Sequence, residues 1–289
     1  MKKKQFSDLS RLAKSDWHVH PDYSLDATGT IDKYCQRAVE LGLEEICFTT
    51  HYDSDPFRKD EDPFMRIDGK LVPLCEENVQ IYIDEVKEAQ KKYLRSGLRV
   101  KVGLEVDYAP HIQEELRHSL SSFDLDYVLG AVHCLDHIAI SASNEAEKYF
   151  VKKNMEEMVK EYYDILKRAV TSELFDAIAH LDIYKKYGLG FYGGSILTFH
   201  RGLVEPVLEA MVEHDVGMEI NTGVLRKGHR EFCPGMEILK AAMQMGVKIT
   251  AIGSDAHKIE HLGMGIEEAY RIVESLKRDM ESKRRTIIG

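Results

Sequence analysis

The feature that most limits how this chain can fold is a rhythm of short apolar runs and helix-like stretches, in which run after run ends in a histidine or a carboxylate. CFTTH closes on His51, VKVGLE on Glu105, YVLGAVH on His133 and DAIAH on His180, while ITAIGSDAH supplies Asp255 and His257. Strand and helix patterns alternate seven times, which indicates a parallel α/β architecture. If the runs are parallel strands, these residues sit at the carboxyl ends, where barrel enzymes place their chemistry. Ligand-type residues at nearly every strand end favour a closed barrel over an open doubly wound sheet.

The first run adds the strongest local signal. In DWHVHPDYSLD, His18 and His20 flank one valine, and residues two apart on a strand project from the same face, so both imidazoles can reach one point. Thr30 then caps a helix with Ile31, Tyr34, Cys35, Ala38 and Val39 at helical spacing, and Gly42 marks its end. The polar, proline-broken stretch after His51, SDPFRKDEDPFMRIDGK, reads as a long loop on the face of the strand ends. Further helices are expected over 76–94, 112–120, 146–170 (the longest), 202–213, 234–245 and 265–277. KKYGLGFYGGS reads as a loop, because its glycines match no phosphate-cradling template.

The 289 residues are read as one domain, 1–289, with a short N-terminal extension over 1–14. A net charge of -10 leaves no broad basic face for nucleic acid or an anionic membrane surface, but divalent cations in a carboxylate-rich pocket would admit an anionic substrate. Five cysteines without a C-x-x-C pair suggest neither a disulfide framework nor a zinc ribbon. No stretch approaches the roughly 18 apolar residues of a membrane span. A cytoplasmic protein is expected.

Taken together, HVH, TTH at His51, the Glu105 and His133 pair, and GSDAH stand in the order found in the polymerase and histidinol phosphatase (PHP) superfamily. The chain resembles that family from Asp16 to about Val273. EINTGVLRKG and AHLD are similar to its histidinol-phosphate phosphatase branch. The resemblance implies a distorted, TIM-barrel-like (β/α)7 barrel with a trinuclear metal centre at the strand carboxyl ends. It also implies the ligands: His18, His20, Glu105 and Asp255 for one ion, Glu105, His133 and His180 for a second, and Asp26, His51 and His257 for a third, with Asp22 as the alternative to Asp26. The activity implied is hydrolysis of L-histidinol phosphate, a small-molecule phosphate monoester, in histidine biosynthesis. Rival readings are another phosphoesterase of the superfamily, acting on nucleotides, phosphotyrosine protein or DNA 3′ ends, and a metal-binding module without turnover.

Read from the residues alone, histidine and carboxylate donors without cysteine suit zinc, iron or manganese, and the resemblance implies three such divalent ions. A hydroxide bridging two such ions would attack phosphorus in line. Asp255, His257 and Arg226 are the expected catalytic residues. Arg226 offers a planar fork for phosphate, with Lys227, His229 and Asn221 as further substrate contacts. His111, His118, His214 and His261 are expected to be solvated. His137 and His200 are expected nearer the barrel mouth, Cys134 in the core, and Asp182 either orienting His180 or capping a helix.

Overall fold

The structure, a computed structural model, describes the backbone of residues 9–288 and the side chains of residues 10–283. Residues 1–8 of the expected N-terminal extension lie outside the described residues; Leu9–Lys14 is a short 3-10 helix leading into the first strand.

Among the described residues eleven strands follow in chain order: β1 (Ser15–Val19), β2 (Glu45–Tyr52), β3 (Phe64–Ile67), β4 (Lys70–Pro73), β5 (Arg99–Asp107), β6 (Tyr127–Ala131), β7 (Cys134–Leu135), β8 (Ile138–Ala139), β9 (Ala177–Ile178), β10 (Gly217–Asn221) and β11 (Ile249–Gly253). Seven of them form one sheet in the order β1-β2-β5-β6-β9-β10-β11, every neighbour pair parallel. Sequential order with a helix in most crossovers is what stacked βα units produce. A parallel bridge between Val19 and Ala256, with the His20 amide donating to the Ala256 carbonyl at 2.9 Å, brings the two edges together. The result is a distorted (β/α)7 barrel.

The barrel strands are buried along almost their whole length, which is why they read as continuous apolar runs. Register then sets the level of the functional side chains. His51 on β2 pairs with Glu105 on β5, so the two leave the sheet at the same height.

Three expectations need correction. The stretch after His51 is not all loop: β3 and β4 pair as an antiparallel hairpin across Asp68-Gly69, both with positive φ, the turn chemistry that such hairpins demand. The region 146–170 is two helices, Ala146–Phe150 and Met155–Thr171, because Asn154 accepts from the Glu157 amide and starts the second; the longest described helix is Ile266–Ile288. KKYGLGFY is helical over Lys185–Tyr192, and Gly193, at φ +65°, ends that helix. No helix of the described residues is long and apolar enough to cross a membrane.

Candidate metal centre

Glu105 is the hub of the barrel mouth. Its side chain is 1% exposed, and five imidazoles face its two oxygens. His18 Nε2 lies 3.3 Å, His20 Nε2 3.4 Å and His51 Nδ1 3.1 Å from Oε2. On the other side His133 Nε2 lies 3.3 Å and His180 Nε2 2.8 Å from Oε1. Asp255 Oδ1 closes the first group at 3.5 Å from His20 Nε2 and 3.8 Å from His18 Nε2. Asp26 Oδ2 stands 3.2 Å from His257 Nε2 and its Oδ1 3.8 Å from His51 Nε2. All nine residues that the resemblance marks as ligands therefore converge, and it is Asp26 rather than Asp22 that joins them.

The donors fit cations. His18 Nε2, His20 Nε2 and His51 Nδ1 are buried, have no hydrogen-bond partner among the described residues, and face a carboxylate. Leaving such nitrogens unmet costs free energy, which a shared ion would recover. His20–His51–His257, His18–His20–Glu105 and Glu105–His133–His180 each bring their donor atoms within 4.8 Å of one another.

The supporting residues are those that the sequence reading missed. Glu219, 0% exposed on β10, meets His18 Nδ1 at 2.6 Å and accepts from the His180 backbone amide at 3.1 Å. A carboxylate on one ring nitrogen fixes the tautomer and aims the other nitrogen at the hub. The available signal was a glutamate inside the apolar strand GMEIN. Ser24 plays the same part for His20 at 3.2 Å, and Asp107 accepts from the His133 backbone amide at 2.6 Å. Asp16 receives the Ser254 and Gly263 amides at 2.9 Å, tying the GSDAH loop to β1. From the hairpin, Arg66 donates to the Leu25 and Ala27 carbonyls at 2.6 and 3.0 Å, which stiffens the loop carrying Asp26.

The expected substrate contacts are placed differently. Arg226 donates both Nη groups to the Ser254 and Asp255 carbonyls at 2.6 and 2.7 Å and does not line the mouth, so the phosphate-fork reading is corrected to a brace behind Asp255. Lys227 and His229 line a separate recess, where His229 Nε2 meets the Lys186 carbonyl at 3.1 Å. Asn221 is fully buried and donates to Glu219 and Asp255 at 3.3 Å. Cys134, expected in the core, is half-buried and lines the mouth, and His200, expected near it, is buried in the Lys227 recess. Asp182 binds Lys185 and the Gly235 amide instead of orienting His180. Arg226→Lys is accordingly expected to lower kcat, by loosening Asp255, while the inhibition constant of inorganic phosphate stays within about twofold of wild type. A large rise in that constant would restore the fork.

In the metal-free protein, burial pulls the imidazolium pKa values down, but neighbouring carboxylates prevail at three positions, the first being His18, raised by Glu219, Glu105 and Asp255. Glu105, Asp26 and Asp53 push His51 up to about 10, and Glu105 and Asp107 push His133 up to about 9. A raised histidine pKa stabilises fully below the unfolded value of about 6.5 and is lost as pH climbs through the folded value. Metal ions compete with protons for the same nitrogens and bind better as pH rises. The gap in melting temperature between metal-loaded and chelated protein should therefore widen from pH 6.5 to 9, starting from several degrees, as ligand linkage gives for about 2–4 kcal/mol. Calorimetry with and without chelator checks this; a gap that narrows would count against it.

A seven-stranded barrel with this histidine and carboxylate cluster at the strand carboxyl ends belongs to the class of barrel proteins that carry metal-ligand residues at the mouth. More particularly, residues 16–223 match the PHP domain, and the chain belongs to that family. It is 30% identical over 256 residues to the probable histidinol-phosphatase of Deinococcus radiodurans, covering 89% of this chain and 91% of that protein. The histidinol-phosphatase of Bacillus subtilis is 25% identical over 273 residues, covering 89% of this chain and 98% of that protein. The crystal structure of histidinol phosphate phosphatase from Lactococcus lactis, complexed with zinc, L-histidinol and phosphate, matches with a TM-score of 0.73 at 23% identity. That match covers 91% of this chain and 94% of the other, and it supports the fold.

Proposed function

We propose that the chain is a metal-dependent phosphoric monoester hydrolase that converts L-histidinol phosphate to L-histidinol and inorganic phosphate. The observation that carries the reading is the Glu105 hub, one carboxylate shared by five imidazoles at the mouth of the barrel. His18, His20, Glu105 and Asp255 would hold one divalent ion, Glu105, His133 and His180 a second, and Asp26, His51 and His257 a third, with zinc, iron or manganese suited to the donors. When bound, such ions neutralise phosphate oxygens and lower the pKa of water.

The protein's own contribution is aim and selection. Glu219 and Ser24 hold the His18 and His20 rings, Arg226 and Asp16 hold the loop that carries Asp255 and His257, and Arg66 holds the loop of Asp26. Beyond the imidazoles, a cavity of about 450 Å³ is walled by Asp53, Glu61, Asp62, Asp107 and Glu145, with Arg58 and Lys186 as its cations. Arg58 is already paired with Asp62 and Glu145. The remaining negative wall suits a leaving alcohol that carries a cation, as histidinol carries its ammonium, and disfavours a nucleotide, whose further phosphates would meet like charge. Lys186, whose ammonium lies 5.5 Å from the Tyr187 ring centroid, is the other cation of the cavity and would be the one to meet the phosphate.

Purified protein with manganese, zinc or iron is expected to release phosphate from L-histidinol phosphate faster than from nucleotides, phosphotyrosine peptide or DNA 3′ ends. Faster turnover of any of those would move the substrate elsewhere in the family, and metal uptake with no hydrolysis across the panel would leave only the binding module.

A further inference from the structure

A second set of imidazoles stands outside the Glu105 cluster, on the rim of the mouth. Asp55 follows β2, His111 follows β5, and His137 sits at the tip of the β7–β8 hairpin. His111 Nε2 lies 2.9 Å from Asp55 Oδ1, and His137 Nδ1 lies 2.7 Å from Oδ2. The three donor atoms fall within 4.8 Å of one another. The ring centroids of His111 and His137 are 5.1 Å apart, the same spacing as His133–His180 and close to the 5.0 Å of His18–His20. Two imidazoles converging on one carboxylate thus recur here with the dimensions of the main centre.

The site is held ready. Asp55 is 6% exposed, and its Oδ1 also accepts from the Phe57 amide at 2.9 Å, so the carboxylate is oriented before any ligand arrives. The Phe57 ring packs at 5.3 Å from His111 and 4.6 Å from His137, centroid to centroid, covering one flank, while the imidazoles themselves reach solvent. His137 has φ +58° and follows Asp136 at +48°, a two-residue turn whose second position ordinarily takes glycine. A histidine there is unfavourable for the turn itself. His180 and Asp255 of the main cluster share this left-handed backbone, at +27° and +53°, in keeping with the tendency of strained residues to gather where ligands are clamped.

We propose that Asp55, His111 and His137 form a further metal site, distinct from the Glu105 cluster, for a first-row divalent ion of the zinc type. Two imidazoles and one carboxylate without thiolate select such ions over magnesium or calcium. The donors come from three separate segments, so the ion would tie the loop after β2, the turn after β5 and the hairpin into one brace. Arg58 begins that link, donating to the His137 carbonyl at 2.7 Å and pairing with Glu145. The braced segments carry Asp53, Asp62 and Cys134 of the cavity wall, so occupancy would stiffen the acidic side of the mouth.

The test uses the full chain with its main centre already loaded with zinc and free zinc removed, then titrated with zinc by calorimetry. Wild type should bind one further zinc per chain. His111→Gln and His137→Asn, which place an amide nitrogen where His111 Nε2 and His137 Nδ1 meet Asp55, should each weaken that step by more than about tenfold, since loss of even an outer partner costs 10–100-fold. Both variants should keep the preloaded zinc and the phosphatase rate, which also shows that they are folded. Added zinc should raise the melting temperature of wild type and not of either variant. No further zinc on the wild type, or a further zinc held equally by both variants, would overturn the site; the preloaded zinc content reports on the main centre separately.

Discussion

Glu105→Gln is expected to lower phosphate release by about 10³-fold or more and to strip the protein of most of its metal, with the fold intact. The size follows from the geometry, because among the described residues this carboxylate faces five imidazoles and stands in two of the five donor groups that fit an ion. Glutamine preserves the volume, so the packed surroundings need not move. It removes the negative charge and turns an NH₂ toward nitrogens that themselves need an acceptor or a cation. Losing several kcal/mol of transition-state stabilisation corresponds to about three powers of ten in rate. Glu219→Gln, at a residue that touches the back of His18, the His180 amide and Asn221, should cost about 10–100-fold in metal affinity. Elemental analysis beside steady-state kinetics separates the two. An E105Q protein that keeps its metals and a wild-type kcat would remove the hub from the mechanism.

The barrel and the ligand set were legible because each depends on a local pattern that repeats. Apolar runs ending in His, Glu or Asp report strand ends wherever the chain is parallel, and the convergence of His18, His51, Glu105, His133, His180 and Asp255 follows once the strands close. What could not be read depends on contacts between segments far apart in sequence. Arg226 looks like an anion fork in isolation, and only the folded GSDAH loop, 28 residues on, shows its guanidinium already taken by carbonyl oxygens. Glu219 gave a partial signal, a charge inside an apolar strand, but its partner His18 is 201 residues away. His111 offered none at all: on a polar segment it reads as solvated, and Asp55 and His137 reach it from two other loops. The Asp68-Gly69 turn, by contrast, was readable by its type, and the prolines around it drew attention away from the hairpin.

Gly253→Ala is expected to damage the same centre from the strand side, through sterics rather than charge. A Cβ on Gly253, at the end of β11, would stand 2.3 Å from His18 Cβ and 2.3 Å from Glu219 Oε1. His18 is fully buried and its Cβ moves only with the backbone of β1, so relief has to come from separating β1 and β11, whose neighbouring ends carry the Val19–Ala256 bridge. Overpacking of this kind costs about 1–3 kcal/mol of stability, a drop of several degrees in melting temperature for a chain of this size. The catalytic cost should be larger than the stability cost, because the methyl group forces apart the His18–Glu219 pair, the contact that sets which nitrogen His18 presents to Glu105. A displacement of about 1 Å at such a position is enough for about 10²-fold in rate. The expected result is therefore a folded protein with a modestly lowered melting temperature, activity reduced by about two orders of magnitude, and weakened binding at the ion that His18 helps to hold. Wild-type activity in a soluble G253A variant would mean that the His18 ring need not be held by Glu219. Loss of activity in step with loss of folded protein, with full activity per folded molecule, would assign this glycine to packing alone.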